Sequence, residues 1–332
     1  MRIYYLCPDV VPPSGGVKQL YAHVKILIEN GYDAYIMHSA KDFRPQWFDS
    51  RVPIVYTCDS PHLQPEDVIV IPEGFSNAMK QLKPLSVKKV GIALNPFYIF
   101  EQMSVGENWK NFDIDWVMAG SRIIEDLVRS SMGIDNVHTV AIAVDHDMFY
   151  YEPRLKKLQV AYVDRKDMHS VLVEKIVKSK GKILNNIEFV RIENLHITEY
   201  ARLLRESVIF LTTSIFEGIH WSVLEAMACG CLCIGYHAIG AKDYIVPSGD
   251  RQNFVLAENA DFVDLAGKFV NLAEMIERRD GQIEVIRQNA ISTAAGYSPE
   301  FEKKTVLEFW KNFFEAQSTV KRGLQPTDSF AR

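Results

Sequence analysis

The chain has 332 residues, 48% of them apolar and 24% charged, which is longer than one hydrophobic core usually serves, so two domains of ordinary size are expected. A formal net charge of −5 gives no electrostatic case for a nucleic-acid binder. No stretch reaches the roughly 18 consecutive apolar residues that a membrane-spanning helix needs, and the opening MRIYYLCPDV lacks a secretory signal pattern, so a cytoplasmic chain is expected.

In chain order, Ile3 to Leu6 is the first strand-like run. After the loop Pro8 to Gly16, the residues Val17, Leu20, Tyr21, Val24, Leu27 and Ile28 recur at helical spacing, and Gly31 suits a left-handed stop. Further apolar runs fall at Ala34 to Met37, Val68 to Ile71, Val90 to Leu94, Trp116 to Ala119 and Val137 to Ile142. Their apolar character is continuous rather than alternating, which predicts strands buried on both faces and a parallel sheet covered by helices. Lys80, Lys83, Lys88 and Lys89, around Pro84, read as a solvated face, with an anionic membrane surface as the alternative partner.

Residues 145 to 157 interrupt this pattern with charge and Pro153 and read as a linker, dividing the chain into domains 1–150 and 151–298. A second alternating unit follows, with strands at Val160 to Val163, Ile187 to Ile192, Val208 to Thr212 and Cys231 to Gly235. Helices are predicted near 168–180, 198–206 and 221–229, and Thr198 suits an N-cap. From about 261 the chain reads as helical, Pro299 opens a last helix with an aromatic face, and the tail 322–332 is expected to be disordered.

In such tandem α/β domains, ligands bind at the carboxyl ends of the strands, so the cleft between the domains is the place to look. Pro12-Pro13-Ser14-Gly15-Gly16 opens the first helix, where paired glycines let backbone N–H groups approach a phosphate or simply ease a turn. It is not the G-x-G-x-x-G of a dinucleotide site. Asp164-Arg165-Lys166 follows a strand and offers two cations to a diphosphate, or two to solvent. The third stretch runs from Thr213 to Cys229, with Glu217 and Glu225 eight positions apart around Gly218 at a strand-to-helix junction. Carboxylates there can accept sugar hydroxyls, beside amides at a helix N-terminus. Among the five cysteines, Cys229, Cys231 and Cys233 lack a second ligand pair and read as small buried thiols rather than a metal site.

FEGIHWSVLEAMACG resembles the E-x(7)-E signature of retaining glycosyltransferases of the GT-B fold, family 4 (glycosyl transferases group 1), which runs E-G-F-G-L-P-x-x-E-A-M-A-C-G. PPSGGVKQLYAHVKIL resembles the family's N-terminal glycine loop, AIAVDHDMFYY its interdomain segment, and YVDRKD stands where a basic phosphate clamp falls. The segments Tyr162 to Lys166 and Ile192 to Leu195 are similar to the Y-M-P-R-K and I-E-N-L of a bacterial subgroup.

The resemblance implies two Rossmann-like domains facing a central cleft, with the last helix, 299–318, packing back on the first. It also implies a hexosyltransferase-type enzyme that moves a sugar from a nucleoside-diphosphate donor to an acceptor hydroxyl with retention. Glu217 would face the transferred sugar, Glu225 the ribose, and Arg165 and Lys166 the diphosphate, aided by amides of Gly16 and of Ile219 to Val223. Gly15, Gly218, His220, Trp221 and Ser222 would complete the donor site, with Glu193 and Asn194 edging the base. Glu73, Asn95, Tyr98 and His62 are the acceptor-side candidates. No metal and no cofactor are expected, and the partners implied are a nucleotide sugar and a glycan or glycolipid acceptor. Bacterial surface polysaccharide synthesis, with peripheral contact at the inner membrane face, belongs to the same expectation.

One departure stands out: the family's F-G-L-P is Ile219-His220-Trp221-Ser222 here, so histidine replaces a glycine. Two other readings stay open. One is a nucleotide-sugar-binding partner subunit with weakened catalysis, and the other is a sugar-nucleotide epimerase on the same fold.

Overall fold

The computed structural model describes residues 1–163, 169–180 and 186–323, with side chains to residue 318. Arg165, Lys166 and residues 324–332 of the expected tail lie outside the described residues, while residues 322 and 323, expected in that tail, end the last helix.

The first domain is built on a seven-stranded sheet, with every neighbouring pair parallel. Its strands are β1 (Ile3–Leu6), β2 (Ala34–His38), β3 (Ile54–Tyr56), β4 (Val68–Pro72), β5 (Lys88–Ala93), β6 (Trp116–Ala119) and β7 (Asn136–Thr139). They lie in the order β3-β2-β1-β4-β5-β6-β7, so the direction of winding reverses beside β1. β1 and β4 are buried throughout, as continuous apolar runs between two helical layers require.

The helices of this half are α1 (Gly15–Glu29), α2 (Ser76–Leu82) and α3 (Arg122–Met132). Ser14 caps α1, its hydroxyl accepting from the Val17 amide at 3.5 Å, and Gly31 beyond the other end has φ +85°, where a side chain would be strained.

The second domain carries β8 (Lys157–Val163), β9 (Glu188–Ile192), β10 (Ser207–Thr212), β11 (Leu232–Gly235) and β12 (Val255–Leu256), again all parallel, in the order β12-β11-β10-β8-β9. Around them lie α4 (His169–Ser179), α5 (Ile197–Glu206), α6 (Trp221–Ala228), α7 (Phe262–Glu277) and α8 (Gly281–Ala295). The cap of α5 differs from expectation. His196, not Thr198, is the N-cap residue, and its imidazole faces the Thr198 amide at 3.5 Å and hydroxyl at 2.9 Å.

The last helix, α9 (Pro299–Gly323), lies against α1 in the first domain. Trp310 donates to the Tyr5 hydroxyl at 3.1 Å, and Phe309 and Phe313 meet Trp116 edge-on. The linker is tied to this return of the chain, since the Val144 amide donates to the Tyr297 carbonyl at 2.9 Å. One buried core runs from Ile3 through Phe149 to Phe313, and each domain keeps a second cluster of its own. Cys229, Cys231 and Cys233 are fully buried in the shared core, and desolvation raises the pKa of each thiol. No helix among the described residues is long and apolar enough to cross a membrane.

Candidate functional site

A parallel sheet sends every loop that follows a strand to the same edge, and here the two such edges face each other. Between them lies a cavity of about 800 Å³. The first domain lines it with Ser14, Gly15, Gly16 and Lys18 after β1, with Glu73 and Phe75 after β4, and with Leu94, Asn95 and Tyr98 after β5. The second domain contributes Val163, Glu193, Asn194 and Leu195, Tyr200 of α5, and Ser214, Glu217 to Ser222 and Glu225 around the start of α6.

Most of the sequence-predicted site residues therefore share one cavity. Val223 does not line it: the side chain is fully buried and the amide donates to the His220 carbonyl at 3.1 Å, so that N–H is spent inside the first turn of α6. His62 is also apart from it. It precedes β4, so it lies at the amino edge of the sheet, where its carbonyl accepts from Arg2 at 2.8 Å.

Glu225 is the best anchored of the site carboxylates. Oε1 accepts from Lys18 Nζ at 2.9 Å and Oε2 from the Tyr200 hydroxyl at 3.0 Å. Both partners were missed by sequence reasoning. Lys18 is 207 positions away in the chain, and only its place one turn after the glycine pair hints at a site role. Glu217 is held more loosely, with the Ser214 hydroxyl 3.4 Å from Oε1.

Glu73 continues the ladder beyond β4, and its Oε1 accepts from the Asn95 amide at 2.8 Å. Its Oε2 is buried with no hydrogen-bond partner among the described residues. Burial disfavours the charged form and raises this carboxyl to about 7, against weaker opposing hydrogen bonds from backbone amides.

The segment 218–221 is where the domains meet. A Cβ on Gly218 would lie 1.9 Å from the Leu94 carbonyl oxygen, a contact only glycine permits. Ile219 packs on Gly120, and the Trp221 ring lies over Gly15, where a Cβ would come within 2.7 Å of it. The Tyr244 hydroxyl pins the same turn, 3.0 Å from the Ile219 carbonyl and 3.1 Å from that of His220. His220 has φ 61° and ψ 59°, the left-handed conformation that glycine adopts most easily, and its Nε2 is 3.0 Å from the Thr212 hydroxyl.

Residues 164–275 match the family model of glycosyl transferases group 1. No curated protein sequence matches the chain significantly. Among solved structures, a sucrose-phosphate synthase from Thermosynechococcus elongatus superposes with a TM-score of 0.72 at 12% identity, covering 95% of this chain and 99% of that one. Anabaena HepE in complex with UDP gives 0.68 at 15% identity over 94% of this chain and 100% of that one. A glycosyltransferase from Rickettsia africae gives 0.64 at 17% identity over 94% and 98%. The two facing parallel-sheet domains are a GT-B fold, and with the group 1 match they support a GT-B glycosyltransferase.

Proposed function

We propose that the protein transfers a sugar, of hexosyl type, from a nucleoside-diphosphate donor to an acceptor hydroxyl with retention of anomeric configuration, as a family 4 enzyme of the E-x(7)-E kind. The observation that carries this reading is the convergence of Glu217 and Glu225, from opposite sides of the turn at Gly218, on one cavity that also receives Gly15 and Gly16. Glu225 has lone pairs left for the two ribose hydroxyls after its bonds to Lys18 and Tyr200. The amides opening α1 and α6 favour the diphosphate, and Glu193 and Asn194 border the base.

Arg165 and Lys166, which follow β8 in the sequence, take the charge of the departing diphosphate in this reading, so no metal is required. The acceptor hydroxyl approaches from the same face and gives its proton to that leaving group. Glu73, Asn95 and Tyr98 form the acceptor wall. Surface glycan synthesis with peripheral contact at the inner membrane face is the biological setting proposed.

Thermal shift with UDP, GDP, ADP, CDP and dTDP, each with EDTA and then with Mg²⁺, tests the donor site. A nucleotide at 100 times its Kd should add about 2.7 kcal/mol of stability. One diphosphate should stabilise the protein in EDTA, and Glu225→Gln should lose most of that gain. No shift with any of the five would overturn the donor-site reading.

A further inference from the structure

Glu225 belongs to the second domain and Lys18 to the first, so their 2.9 Å ion pair spans the cleft. It is neither a loose surface pair nor a dry one: the Lys18 side chain is 23% exposed and that of Glu225 7%. Lys18 also sits 5.4 Å from the ring centroid of Phe149, which comes from the linker and meets Tyr200 edge-on at 5.7 Å. The first domain's α1, the linker and the second domain's α6 thus meet at one ammonium group, with Tyr200 of α5 bonded to the same carboxylate.

We infer that Lys18 is a cross-domain positioning residue that holds Glu225 in place for the ribose and makes nucleotide recognition dependent on the closed cleft. This rests on the reading of Glu225 as a ribose ligand. A carboxylate this buried needs a compensating cation close by, and more so once a diphosphate brings further negative charge into the cavity. The Tyr200 hydroxyl fixes the second oxygen but supplies no charge. Because Lys18 reaches Glu225 only across the cleft, opening the domains strips Glu225 of its cation.

The test pairs calorimetry with small-angle scattering on Lys18→Met and Lys18→Arg, using UDP and its 2′,3′-dideoxy analogue as probes. The wild type should prefer UDP by at least about tenfold, the worth of hydrogen bonds to a charged group. Lys18→Met should prefer it by less than about threefold, with Lys18→Arg restoring most of the difference. Lys18→Met should also show a larger radius of gyration without ligand, and Lys18→Arg the wild-type value. Full discrimination in Lys18→Met would sink the positioning role while leaving the ribose reading intact. A wild type that does not distinguish the two nucleotides sinks the ribose reading instead. Scattering then decides for Lys18, since a wild-type radius of gyration in Lys18→Met rules out the cross-domain hold.

Discussion

At Glu73 a carboxyl is held where water does not solvate its second oxygen, and this bears on how stability depends on pH. The group ionises near 4.5 in an unfolded chain and near 7 in the fold, so between these values the folded state keeps a proton that the unfolded state has released. Stability contributed by this residue therefore falls as pH rises from about 4.5 to 7 and is level above that window. Glu302, also raised to about 7 by burial against a 2.7 Å bond from Gln19, adds a slope of the same sign. Glu73→Gln should remove part of the slope. At pH 8 it should be more stable than the wild type by roughly 2 to 3 kcal/mol, and at pH 4.5 about equal to it. Urea denaturation at the two pH values checks this. An unchanged pH slope would mean that Glu73 is already paired with a charge in solution.

The start of α6 poses a different problem, because a buried histidine stands in left-handed backbone immediately before the first helical residue. Its side chain bonds to Thr212 while its backbone stays in a conformation that disfavours any Cβ. Two substitutions separate these effects. His220→Ala and His220→Gly both lose the imidazole and its bond, but only alanine keeps the backbone strain, so the glycine variant should be the more stable by about 1 kcal/mol. Equal midpoints in chemical denaturation would show that the turn relaxes out of the left-handed region.

This junction was also where the sequence was most readable, since a strand, a glycine and a helix with a carboxylate on either side leave a local pattern. The central strands were legible because burial on both faces makes them uninterrupted apolar runs. The edge strands β3 and β12, three and two residues long and only half-buried, left no such trace. His62, an acceptor-side candidate by sequence, precedes β4 and lies at the amino edge of the sheet, away from the cavity. Lys18 and Tyr200 were harder to read for a more general reason: contacts across 207 and 25 positions have no local spacing to reveal them.

On the scale of the whole molecule, the backbone of the second domain meets that of the first at Gly218. On one side its missing Cβ lies 1.9 Å from the Leu94 carbonyl, and on the other its own carbonyl lies 2.1 Å from where a Cβ on Gly240 would be. The Leu94 and Asn95 atoms that a Cβ on Gly218 would meet are backbone, so an added methyl group cannot be absorbed by turning a side chain. Gly218→Ala should therefore prop the cleft open while the separate clusters within each domain stay packed. Its circular dichroism should match the wild type, its radius of gyration should be larger, and the nucleoside diphosphate that stabilises the wild type should not restore compactness. Gly120 supplies the contrast. A Cβ there meets the tip of the Ile219 side chain at 2.4 Å, and that side chain can rotate away. Gly120→Ala should accordingly remain as compact as the wild type. If both alanine variants scatter alike, the contact at Gly218 does not limit closure, and the loop around Leu94 yields as readily as the isoleucine.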